Sequence, residues 1–139
     1  MLPPLGRGAW PVAKPAVAVV DDDKSVAQAM GGLIRSLGFA AQVYTSAEEF
    51  LQGGGHQNSS CLLLDVHLPG MSGLQLQTHL ASAGFRIPII FFTGYSDERV
   101  RAQALEHGAA GFLHKPVSEG VLLSGIHAAL NLGGEEGRE

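Results

Sequence analysis

Short apolar runs alternate along this chain with stretches of helical period. The runs are Ala16–Val20, Phe39–Tyr44, Cys61–Leu64, Ile87–Phe92 and Ala110–Leu113. Apolar runs this short read as buried strands, and they fall far below the roughly 20 residues that a membrane-spanning helix requires. After the first run, Val26, Met30, Leu33, Ile34 and Leu37 form one stripe, which predicts a helix from Lys24 to Leu37 ended by Gly38. Gly31 and Gly32 lie inside it and each weakens it by about 1 kcal/mol, so it needs tertiary support.

Ser46 and Glu49 have the spacing of a capping box, which predicts a short helix through Leu51. The stretch QGGGHQNSS reads as a flexible connection and HLPGMSG as a turn. A helix from Leu74 to Ala83 is expected to turn Leu76, Leu80 and Ala83 inward, and another runs from Asp97 to His107, closed by Gly108. Ser118 is expected to cap a last helix whose Val121, Leu122, Ile126, Ala129 and Leu130 face the sheet. Five strands and five helices in strict alternation predict an α/β fold, a doubly wound parallel sheet built from βαβ units.

Composition fits that frame. The chain has 139 residues, 45% hydrophobic and 16% charged, enough for one domain with a real core. A net charge of −4, from 9 Lys+Arg against 13 Asp+Glu, argues against direct binding of nucleic acid by this domain. The lone cysteine, Cys61, allows no intrachain disulfide and fits a reducing compartment; with no membrane span or secretory signal in view, a cytoplasmic protein is expected. Residues 1–15 carry four prolines and read as a flexible leader in which Trp10 rests on the domain. The domain itself is expected over residues 16–131, with a polar tail over 132–139.

In open parallel sheets, ligands bind beyond the carboxyl ends of the strands. Strand one ends at Asp21-Asp22-Asp23, strand three at Asp65, strand four at Thr93-Gly94 and strand five at Lys115-Pro116. One rim therefore collects acids, a hydroxyl and an amine. Clustered carboxylates with no basic excess suit a hard divalent cation such as Mg²⁺, which offsets their mutual repulsion. A lysine and a hydroxyl nearby would bind the oxygens of a phosphoryl group, whose transfer is catalysed chiefly by positioning and charge neutralisation. The residues thus point to Mg²⁺-assisted phosphorylation of an aspartate.

The segments VVDDD, LLLDVHLPGMSG, FFTG and GFLHKP, in this order, resemble those of the CheY-like receiver domains of two-component response regulators. The likeness runs from about Ala16 to Leu130. With AEEFL and a phenylalanine at position 112, it is most similar to receivers of the nitrogen-fixation and nitrate-response type. The resemblance implies a (βα)5, flavodoxin-like sheet of strand order 2-1-3-4-5. It makes Asp65 the phosphoacceptor, Asp22 a direct Mg²⁺ ligand, Asp21 a ligand largely through water, and the His67 backbone carbonyl the last protein ligand.

By the same likeness, Lys115 would pair with the phosphoryl group, Thr93 would hydrogen-bond it, Phe112 would be the aromatic switch, and a cis bond would precede Pro116. A histidine kinase or phosphotransfer protein would be the donor. The fourth helix, fifth strand and fifth helix would form the switching face, a surface for a partner or a second copy of the chain. Val100, Leu105, Val117 and Val121 fall on it. The protein would then be a signalling phosphoacceptor rather than an enzyme. His67, beside the pocket, is less usual for the family and could alter water access.

Two other functions are open to this sequence. VVDDDKS also reads as the first motif of haloacid-dehalogenase phosphatases, with Asp21 as nucleophile and Asp23 as acid. That reading leaves Asp65 without a role and lacks the acidic pair expected after the lysine. A receiver-like scaffold that binds partners without phosphate is the other, and the intact acid set speaks against it. Asp23 stands open between helix cap and site.

Overall fold

The computed structural model describes residues 14–94 and 97–138, with the backbone alone described over 132–138. The expected leader falls almost wholly outside the described residues, Trp10 included. The elements run β1 (Ala16–Val20), α1 (Lys24–Ser36), β2 (Ala40–Tyr44), α2 (Ala47–Gln52), α3 (Gly55–Asn58), β3 (Cys61–Asp65), α4 (Gly73–Ser82), β4 (Ile89–Thr93), α5 (Glu98–Glu106), β5 (Gly111–His114) and α6 (Glu119–Arg138). All four strand pairings are parallel and the sheet order is β2-β1-β3-β4-β5.

Every residue of β3 and β4 is buried, which explains why these strands read as unbroken apolar runs. Alternate residues serve opposite faces. Ala18, Val20, Leu62, Leu64, Ile89 and Phe91 pack with Ala47 and Phe50 of α2, Leu76 and Leu80 of α4 and Ala104 of α5. Val17, Val19, Cys61, Leu63, Ile90 and Phe92 pack with Met30 and Ile34 of α1 and Leu122, Ile126 and Ala129 of α6. Each fully buried aliphatic side chain contributes about 1.5–3 kcal/mol, so two such cores hold the sheet without staples. Cys61 is wholly buried, and burial raises its thiol pKa to about 12, leaving an inert packing residue.

Several expectations shift by a residue or a turn. Among the described residues there are six helices, because QGGGHQNSS contains the short α3 rather than a loop. Gly55 packs against the Phe50 ring so closely that a Cβ there would have its ring carbon at 2.5 Å. β3 extends to Asp65, while β4 starts at Ile89, since Pro88 cannot donate to the ladder. Ala83 is the exposed C-cap of α4, and the polar Gln77 takes the inward position instead, donating from Nε2 to the Ala104 carbonyl at 3.0 Å.

Val121 is 51% exposed rather than facing the sheet. The inward stripe of α6 is Leu122, Ile126 and Ala129, and Val121 precedes it by one residue, about 100° round the helix. Ser118 does cap this helix, its Oγ accepting from Val121 N at 3.3 Å. α6 then continues to Arg138, through most of the residues read as a tail. Ser46 caps α2 by accepting from Glu49 N at 2.9 Å, but the Glu49 carboxylate turns to Thr45 N (2.6 Å) and not to the Ser46 amide, so the box is not reciprocal. Gly31, expected only to weaken α1, is buried against β2: a Cβ there would lie 2.7 Å from Val43 Cγ2. Among the described residues, no helix is long and apolar enough to cross a membrane.

Candidate functional site

Register aligns the strand ends that carry the polar residues. Val20 pairs with Leu64, Asp65 with Phe92 and Thr93 with His114, so the residues past β1 and β5 and the last residues of β3 and β4 meet at one rim. Asp21, Asp22 and Asp65 each offer a carboxylate oxygen, and these oxygens all lie within 4.8 Å of one another. Asp21 is fully buried, Asp65 is 5% exposed, and Asp22 is open to solvent. Two buried acids and one wet one form an all-oxygen donor set of the kind that suits a small divalent cation.

Lys115 reaches into the same cluster. Its Nζ lies 2.8 Å from Asp21 Oδ2 and 3.2 Å from Asp65 Oδ2, and 4.8 Å from the centre of the Phe92 ring. A lone buried carboxylate is costly, and the ammonium bridges two of them. Burial works against the Lys115 charge, but the hydrogen bond to Asp21 and the charges of Asp65 and Asp21 outweigh it, so its pKa is raised. Burial also raises the Asp65 carboxyl above its ordinary value. The His67 amide and Lys115 pull it down, Asp21 pushes it up, and burial prevails.

The backbone around the acids is tightly set. Asp21 Oδ1 accepts from Asp23 N at 2.9 Å, and Asp65 Oδ1 accepts from His67 N at 3.1 Å. A Cβ at Gly73 would run into the Asp65 carbonyl oxygen, so only glycine lets α4 start this close to β3. Thr93 is 1% exposed, and its carbonyl accepts from Lys115 N at 2.8 Å, which holds the start of the β5–α6 connection beside β4. The Lys115-Pro116 peptide is cis.

The rim therefore brings together Asp21, Asp22, Asp65, Thr93 and Lys115, with the His67 amide beside them and its side chain exposed. Phe112 stands apart, half-buried, its ring centre 6.2 Å from that of Phe91 on the face covered by α4 and α5. Asp23 is the N-cap of α1, its Oδ1 accepting from Ser25 N at 3.0 Å and Val26 N at 3.2 Å. That occupies the carboxylate which a dehalogenase-type reading needs as its acid. Sequence reasoning does not reach the Lys115–Asp21 bridge, because its partners lie 94 residues apart and carry no spacing signal.

Comparison with known proteins agrees with the geometry. Residues 17–127 match the family model described as the response regulator receiver domain. Response regulator protein TmoT of Ectopseudomonas mendocina is 41% identical over 128 residues, a span that covers 92% of this chain and 58% of that protein. The structure of the response regulator StyR superposes with a TM-score of 0.82 at 40% identity, covering 91% of this chain and 64% of that one. For the structure of FixJ-N the TM-score is 0.78 at 30% identity, covering 86% of this chain and 96% of that one. The chain spans a little over half the length of the curated relatives it matches, 58% of TmoT and 51% of TodT from Pseudomonas putida.

Proposed function

The chain belongs to the response regulator receiver domain family of two-component systems, and on that premise we propose that Asp65 is its phosphoacceptor and that Asp21 and Asp22 share with Asp65 the binding of Mg²⁺. Receiver domains generally bind Mg²⁺ at an acidic pocket, and the three carboxylates within 4.8 Å of one another are the observation that supports such a pocket here. Asp22 and Asp65, with the His67 carbonyl, are the direct protein ligands in this reading, and Asp21 acts largely through water. The ion, when bound, supplies positive charge against the developing charge of the transferred phosphoryl group.

The chain's own residues do the rest. One Asp65 carboxylate oxygen attacks phosphorus; the bond from phosphorus to the donor breaks, and the donor leaves with that bond's electron pair. Lys115, already bridging Asp65 and Asp21, moves its charge to the new phosphoryl oxygens. Thr93, buried at the end of β4, donates a hydrogen bond from its hydroxyl to one of them. Receiver domains interact with histidine kinases, and we take a histidine kinase or phosphotransfer protein in the cytoplasm as the donor here. The relatives are regulators by name, and the domain serves as a switch whose output is carried by other surfaces or other proteins.

Intact-mass measurement after incubation with acetyl phosphate tests the chemistry. Wild type with Mg²⁺ should gain one phosphoryl group, wild type in EDTA far less, and Asp65→Asn none. Labelling that survives in Asp65→Asn would move the nucleophile elsewhere and overturn the assignment.

A further inference from the structure

Two adjacent glutamates open α2, and they diverge. Glu49 serves its own helix end, accepting from Thr45 N at 2.6 Å and Thr45 Oγ1 at 3.1 Å. Glu48 leaves the helix altogether: its Oε2 accepts from Met71 N at 2.8 Å, 23 residues further along the chain. Met71 sits in the loop that joins Asp65 to α4 and carries His67.

Several hydrogen bonds of that loop are local. His67 N donates to Asp65 Oδ1, Ser72 N to Gln75 Oε1, and Gly73 N to the Val66 carbonyl. Val66 and Leu68 anchor its root in the core. The apex is different. Gly70 turns there with φ +73, and a Cβ on it would stand 2.8 Å from Glu48 Oε2, so the carboxylate lies directly against the apex backbone. Met71 also packs its side chain against the core, and Glu48 adds a charged acceptor from a separate element to its backbone; a carboxylate accepting from an amide makes a stronger bond than a neutral acceptor does.

We propose that Glu48 is a positioning residue for the acid rim: by holding Met71 it keeps the loop that carries His67 in its binding conformation, and the Mg²⁺ affinity of the rim depends on it. This rests on the Mg²⁺ reading above. A loop that holds its binding conformation only part of the time lowers apparent affinity by that fraction.

The test is an Mg²⁺ titration of the full chain, followed by amide chemical shifts, for wild type, Glu48→Ala and Glu48→Gln. Glutamine keeps an acceptor oxygen and drops the charge, so it separates the tie from a through-space pull on the ion. Glu48→Ala should weaken Mg²⁺ about threefold to tenfold, the scale of one exposed hydrogen bond, with the Met71 amide displaced, and Glu48→Gln should recover most of the loss. Should the alanine variant not fold, Glu48→Asp, one methylene too short to reach Met71, is expected to show the same weakening. Wild-type affinity in the Ala or Asp variant overturns the proposal, as does equal weakening in Ala and Gln. A wild type with no saturable Mg²⁺ response would instead defeat the metal site itself, and this inference with it.

Discussion

Lys115 decides how three acids can share one rim. Asp21 has no exposed surface, and its strongest compensation is the ammonium 2.8 Å away. Removing one partner of a buried pair strands the other, at a cost of about 3 kcal/mol or more. Lys115→Met should therefore lower the thermal midpoint in EDTA substantially, and Mg²⁺ should restore part of the loss by replacing the missing positive charge. Calorimetry with and without Mg²⁺ checks both halves. Asp65 carries the opposite sign. Its folded pKa is raised above the unfolded value, so its ionisation costs stability at neutral pH, and that cost fades as pH falls through the raised pKa towards 3.8. Asp65→Asn should melt higher than wild type in EDTA at pH 7, and the gap should close as pH approaches 4. At this scale the residue types at the strand ends were legible from spacing alone, and the role of each came from the family likeness. The Lys115–Asp21 bridge was not, because it joins residues 94 apart in sequence that only the folded sheet brings together.

α1 shows at the scale of elements what sequence can and cannot settle. Its stripe and its end at Gly38 were readable, but Asp23 was ambiguous, since an acid at a helix start serves a cap and a metal site equally well. Its bonds to Ser25 N and Val26 N make it the cap. Asp23→Ala should cost about 1 kcal/mol of stability and leave Mg²⁺ affinity unchanged, as urea unfolding and a metal titration would show. The two helix glycines also separate. Nothing lies within 4 Å of a Cβ on Gly32, so Gly32→Ala should stabilise α1 by up to about 1 kcal/mol, whereas the same change at Gly31 meets Val43 Cγ2 and should give no gain. Helix α3 escaped notice for a physical reason: GGGH has no apolar period, and its fold depends on Gly54 in a left-handed conformation and Gly55 under Phe50. Val121 and Ala83 were misplaced because adjacent apolar residues near a helix end look alike until the helix phase is fixed by packing.

For the whole molecule, the question is how an event at the rim reaches a distant surface. The alternation of strands and helices was legible from hydrophobic pattern; the order β2-β1-β3-β4-β5 was not, and it followed only from the likeness to a known family. That order sets β5 at a sheet edge, flanked by α5 and α6, with Leu105 (37%) and Val121 (51%) the exposed large apolar residues among those described. Thr93 at the rim pairs in register with His114, two residues beyond Phe112, so β4 and β5 join the acid cluster to this face directly. Phosphorylation at Asp65 is expected to draw Thr93 towards the phosphoryl group, turn Phe112 further inward and shift the population of packings at α5, β5 and α6. The most direct measurement compares amide spectra of the chain with Mg²⁺ alone and with Mg²⁺ plus beryllofluoride, a stable stand-in for the phosphoryl group. The account predicts changes at Asp65, Thr93 and Lys115 that continue through Phe112 to Leu105 and Val121, all absent in Asp65→Asn. Changes confined to the rim, with Phe112, Leu105 and Val121 unmoved, would contradict it.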